Sequence, residues 1–156
     1  SRGLGDVYKR QAPMKAEEEY KEFVDGNVEL LVKRVEQHPD TMFYFFYPPY
    51  SMLWWDNMYR SGELEQVMYA AGTSAERLLG YENVRMYYFQ NDRDIILDLN
   101  KYMDPVHFTA VINQYMVEQM KEDNYRLTEE NYREELDKMR KLAEEIREKE
   151  IKKYFP

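Results

Sequence analysis

Apolar positions across residues 15–37 recur at spacings of three and four: Tyr20, Phe23 and Val24, then Leu30, Leu31 and Val35. That is the period of a helix with one buried stripe. Asp25-Gly26-Asn27 interrupts it, because glycine lowers helix propensity and Asn or Asp can cap a new start. The reading is two helices or one kinked helix, stopping before Pro39. Residues 41–46, TMFYFF, are β-prone and do not alternate. Bounded by Pro39-Asp40 and Pro48-Pro49, this run predicts a strand buried on both faces, as in a parallel sheet. A short helix over 52–58 carries Trp54 and Trp55, and a longer one over 63–79 is ended by Gly80 as a C-terminal glycine. Residues 84–89 read as the second strand. A short helix over 92–99 and one over 110–122, capped by Thr109, come next.

The final stretch has the clearest period. Tyr132, Leu136, Met139, Ala143 and Ile146 alternate spacings of four and three. Thr128 is the expected cap, with Leu127 and Tyr132 as a hydrophobic staple. Glu134/Lys138, Asp137/Lys141, Glu145/Lys149 and Glu148/Lys152 are candidate supporting pairs. The apolar seam is either a core stripe or a dimer contact. The order helix, strand, helices, strand, helices is the grammar of an α/β fold whose parallel strands are joined by helical crossovers. Two strands alone make a poor sheet, so part of the sheet is expected to be missing.

Composition narrows the function classes. The 156 residues include 24 aromatics (15 Tyr, 7 Phe, 2 Trp), enough for a core. The net charge of −8 gives no counterion-release drive towards nucleic acid, and it disfavours anionic membrane surfaces. With no cysteine, disulfides, thiolate zinc sites and cysteine nucleophiles are excluded. The two histidines, His38 and His107, stand far apart in sequence, so no metal or other cofactor is expected. No apolar run reaches the roughly 18–20 residues of a transmembrane helix, and no signal peptide is expected.

Asp104-Pro-Val-His107 follows the second strand and precedes a helix. In open α/β sheets, ligands bind beyond the carboxyl ends of the strands. The spacing lets the Asp104 carboxylate reach the His107 imidazole, at an expected distance of about 2.6–3.2 Å. Such a pair can deprotonate a serine brought from elsewhere; an Asp-Pro turn with a histidine at a helix start is the alternative. Ser51 lacks the flanking glycines of a nucleophile elbow and reads as a loop residue bonded to nearby backbone. Pro49, Tyr50, Ser51 and Trp54 form a stiff aromatic edge after the first strand. They either shape an acyl or sugar site or pack against further sheet. Asn91 and Asp92 border the same end of the sheet or simply make a turn.

Three blocks carry a family resemblance: FYFFYPPYS after a helix ending in HPD, YENVRMYYFQND, and NKYMDPVHFTAVINQYM. Together they resemble the C-terminal half of the SGNH (GDSL-type) hydrolase superfamily, in its bacterial surface-associated branch. The likeness covers about residues 28–128, so residues 12–127 are expected to form half of an SGNH-like domain, with 128–156 as a terminal helix. It implies a flavodoxin-like sheet and a serine esterase or O-acyltransferase acting on an acylated glycan or small ester. Asp104 would be the orienting acid and His107 the general base. The nucleophile and oxyanion blocks would lie in an upstream half, the expected partner of this one, in a protein held at the cell surface. Residues 1–11, SRGLGDVYKRQ, resemble a translated sequencing-adapter remnant from a metagenomic assembly, and Gly5-Asp6 is followed by valine, not serine. The rival expectation is a non-catalytic module: a carbohydrate binder using the tryptophans, or a helical interaction protein using the C-terminal seam.

Overall fold

A computed structural model describes residues 16–154; the adapter-like stretch lies outside the described residues. The main elements are α1 (Glu17–Gln37), β1 (Phe43–Tyr47), α2 (Met52–Arg60), α3 (Leu64–Leu78) and β2 (Val84–Tyr88). They continue with α4 (Arg93–Ile96), α5 (Ala110–Lys121), β3 (Arg126–Leu127) and α6 (Tyr132–Glu145). The fold is α/β. β1 and β2 are parallel, with Phe43 opposite Val84 and Tyr47 opposite Tyr88, and α2 and α3 make the crossover. β3 adds antiparallel to the far edge of β2, giving the order β1-β2-β3. This third strand was not expected: two residues are too few for a period to register. Asp123 and Tyr125, at φ of 58° and 59°, make the turn into it.

The strands divide the core in two. Val84, Met86 and Tyr88 project into one cluster with Val28, Trp55, Ala75 and Met139, contributed by α1, α2, α3 and α6. Tyr87 and Phe89 project the other way, into a cluster with Ile112 and Met116 of α5. β2 is thus covered on both faces. β1 is not, contrary to the expectation from its continuous apolar run. Phe43, Phe45 and Tyr47 face the main cluster, but Tyr44 and Phe46 are 59% and 47% exposed. α5 covers β2 and stops short of β1, whose outer edge has no strand partner among the described residues.

α1 is one continuous helix, without a break at Gly26. Its buried stripe is Val24, Val28, Val32 and Val35; Phe23 and Leu30 are exposed. The helix carries the glycine because position 26 faces open space and propensity is a weak term beside four buried valines. Its C-terminus is held by Asn83, whose side-chain amide donates to the carbonyls of Val35, His38 and Thr41 at 3.3, 3.1 and 3.2 Å. Among the described glycines, Gly62 rather than Gly80 has the left-handed conformation, at φ 74°, and it ends α2. The predicted helix over 92–99 is a single turn, α4, followed by a 3-10 turn at Leu99–Lys101.

α6 starts at Tyr132. Before it, Thr128 and Asn131 bond reciprocally: the Asn131 N–H donates to Thr128 Oγ1 at 3.3 Å, and the Thr128 N–H donates to Asn131 Oδ1 at 2.8 Å. Met139, Ala143 and Ile146 are fully buried in the main cluster. The seam is therefore a core stripe and not a dimer contact. Glu134 pairs with Lys138 at 3.0 Å as expected, whereas Glu145 grips Arg93 of α4 through both oxygens at 2.6 and 2.7 Å.

Candidate active site

The loop between the 3-10 turn and α5 is closed on itself. Tyr102 and Phe108 pair as an antiparallel bridge, and the Met103 N–H donates to the His107 carbonyl at 2.8 Å. Within it, Asp104 Oδ1 accepts the backbone N–H groups of Val106 and His107, both at 2.8 Å. Asp104 Oδ2 lies 2.6 Å from His107 Nδ1, the separation of a charge-assisted hydrogen bond. The backbone N–H of His107, then that of Val106, then the His107 ring hold the Asp104 carboxyl down at about 2. It is ionised at neutral pH and fixes the Nδ1–H tautomer, leaving Nε2 as the free basic nitrogen. The His107 and Asp104 side chains are 71% and 49% exposed. The ring is therefore open to an outside group.

This loop sits on the carboxyl end of β1. Pro105 presents its carbonyl to Ser51, which donates its N–H at 3.2 Å and its hydroxyl at 2.7 Å. The Tyr102 hydroxyl donates in return to the Pro49 carbonyl at 2.8 Å. β1 and β2 stay joined just beyond their ends, where the Phe89 N–H donates to the Tyr47 carbonyl at 3.0 Å. Of the residues singled out in the sequence, Pro49, Ser51, Asp104 and His107 thus belong to two loops bonded to each other. Tyr50 and Trp54 lie on the same loop and the first turn of α2, in mutual ring contact at 4.5 Å. Trp55 turns inward and is wholly buried, so the tryptophans do not form a two-ring platform. Ser51 is also fully buried, and its proton is directed at a carbonyl. The expected bond to nearby backbone is replaced by one to backbone 54 positions away, because the dyad loop folds back over the end of β1.

Sequence reasoning passed over three tyrosines here. Asp92 caps α4 through the Ile95 N–H at 3.2 Å with one oxygen. Its other oxygen accepts the hydroxyls of Tyr125 at 2.8 Å and Tyr115 at 3.1 Å. Burial, then the hydrogen bond between the Tyr115 and Tyr125 hydroxyls and the one to Asp92, push the Tyr125 phenol well above its ordinary range. Tyr102 is raised too, chiefly by burial. No short motif marks this cluster, since its members come from three separate segments. Asn91 reaches away from the site to the Glu135 carboxylate, at 2.6 Å.

Two surface depressions lie away from the dyad. One of about 290 Å³ is lined by Tyr81, Arg85, Arg126 and Glu129, and one of about 440 Å³ runs between α3 and α6 beside Gly72, Thr73 and Arg133. Neither includes Asp104, His107 or the PPYS loop. Instead Met103 and Val106 stand exposed on the dyad loop itself, and Val111 on the first turn of α5. Among the described residues no cluster of three or more His, Asp or Glu side chains is placed to hold a metal ion, and no helix is long and apolar enough to cross a membrane. No protein-family model matches the chain, and neither does any curated protein or solved structure.

Proposed function

We propose that this chain is the C-terminal part of a serine esterase or O-acyltransferase of the SGNH type, acting on acyl groups of a cell-envelope glycan. The observation that carries the reading is the Asp104–His107 pair: 2.6 Å apart, with an exposed ring, on a loop bonded to the carboxyl end of a parallel strand. His107 Nε2 takes the proton of a serine hydroxyl as that oxygen attacks the ester carbonyl. It then returns the proton to the leaving alcohol as the tetrahedral intermediate collapses to an acyl-enzyme. Asp104 holds the ring in orientation and stabilises the imidazolium, remaining ionised throughout. The serine and its oxyanion donors come from an upstream segment that extends the sheet past β1, whose open edge and exposed Tyr44 and Phe46 offer it a surface. Surface location follows from the same family likeness.

The test is labelling by a fluorophosphonate, which reacts with activated serines. The chain alone stays unlabelled. A longer form carrying an upstream Gly-Asp-Ser segment labels, and His107→Ala abolishes that labelling. Stoichiometric labelling of the short chain, lost in Ser51→Ala, contradicts the proposal.

A further inference from the structure

We propose that Ser51 is a positioning residue for the Asp104–His107 pair, fastening the tip of the dyad loop to the sheet through the Pro105 carbonyl, with Tyr102 fastening its base. The role in catalysis rests on the hydrolase reading above; the fastening itself is a property of this chain. The loop's internal bonds, Met103 to His107 and Asp104 to Val106 and His107, set the shape of the dyad but not its place on the molecule. Its base is anchored by Tyr102 and Phe108, which pack against the second cluster. The tip, residues 103–107, is exposed throughout. Among the described residues, its hydrogen bonds to the rest of the protein are the two that Ser51 donates to Pro105.

The state of Ser51 supports this assignment. It occupies the N-cap of α2, where a serine oxygen ordinarily accepts from a backbone N–H two or three residues on. Here the side chain makes no capping bond, and its hydroxyl points across to the loop at 2.7 Å. The donor side is fully buried while the Pro105 side faces solvent, so the bond is shielded from competing water at the serine end. The acceptor is a proline carbonyl between the two dyad residues, on a backbone whose φ is fixed by the ring. Holding that one carbonyl therefore holds both ends of the D-x-x-H. Displacements of about 1 Å at a reacting group are enough to cost about a hundredfold in rate, so the anchor matters to the chemistry.

The experiment is NMR on the full chain, following the His107 Nδ1–H signal and the backbone order of residues 103–107. Variants are Ser51→Ala and Tyr102→Phe, with Tyr47→Phe as control, since it removes a comparable phenol–carbonyl bond (to Ala71, 3.2 Å) away from the loop. In Ser51→Ala, exchange of the Nδ1–H with water rises about fivefold, the factor that loss of one ordinary hydrogen bond implies. The order parameter of the tip falls from about 0.85 towards 0.6. Tyr102→Phe gives a smaller change in the same direction, and Tyr47→Phe gives none. Unchanged His107 signals in both Ser51→Ala and Tyr102→Phe, or an equal change in Tyr47→Phe, overturn the anchor and leave the hydrolase reading untouched. A failed labelling test with the anchor signature intact does the reverse.

Discussion

β1 and β2 are parallel neighbours of equal length, and they live in different surroundings. β2 has a strand on each side and a cluster on each face, so Met86, Tyr87 and Tyr88 are all but inaccessible. β1 has the more aromatic sequence, FYFFY against VRMYY, yet it exposes Tyr44, Phe46 and the neighbouring Met42. Apolar content reports what a strand can bury, whereas topology decides what it does bury. In a parallel strand alternate residues turn their backbone groups to the same side. Phe43 and Tyr47 bond towards β2, so Tyr44 and Phe46 present both backbone and side chain outward. An edge that is apolar and unpaired is what sheet proteins ordinarily avoid. Here that edge is the surface against which the proposed upstream segment would add.

Truncation breaks the comparison most sharply. Met86→Ala should cost about 2–5 kcal/mol, the usual range for emptying a closed core site, read from the urea midpoint. Phe46→Ala should cost about 1 kcal/mol or less, because much of its ring already meets water. Equal losses would mean that β1 is covered in solution. Next in size is association. The chain should self-associate through β1 in sedimentation at micromolar concentration, and Tyr44→Lys with Phe46→Lys should shift it to monomer by charging the edge. A monodisperse wild-type monomer with a sharp melt would contradict an open half-sheet.

The same contrast sets how much was legible in the sequence. Both parallel strands, the crossover helices and the core seam of α6 follow from period and punctuation, because each element is long enough to show its own pattern. The dyad follows from a spacing of three in a loop after a strand. β3 did not register, at two residues. β1 is covered on one face and not on both, because composition cannot see which neighbours are present. In α1 the valines, not the larger Phe23 and Leu30, face α3 and the main cluster: choosing among overlapping stripes needs the packing partner. Ser51 and Tyr102 were beyond reach for a similar reason, since their acceptors lie 54 and 53 positions away.

A smaller effect probes the outward side of α1. Gly26→Ala should stabilise by about 0.4–1 kcal/mol, since the new methyl meets nothing within 4 Å and the unfolded chain loses freedom. A loss of stability there would mean that this face is not open. The last effect is one of pH. The Asp104 carboxyl is depressed to about 2, so its contribution to loop order is complete above the ordinary carboxylate range and is lost as pH falls towards 2. Carboxyl-carbon NMR of Asp104 should titrate at about 2, below the ordinary carboxylate range, and Asp104→Asn should remove that acid-limb change in the His107 signals.

The most direct test of the central claim is ester turnover by a longer form of the chain carrying an upstream Gly-Asp-Ser segment. With an activated acetyl ester, His107→Ala should lower kcat/KM by about 10²–10⁴, the range for removing a general base, with Asp104→Asn falling in the same direction. The chain alone should show only a background that His107→Ala does not change. Equal turnover by the longer form with and without His107 would contradict the account.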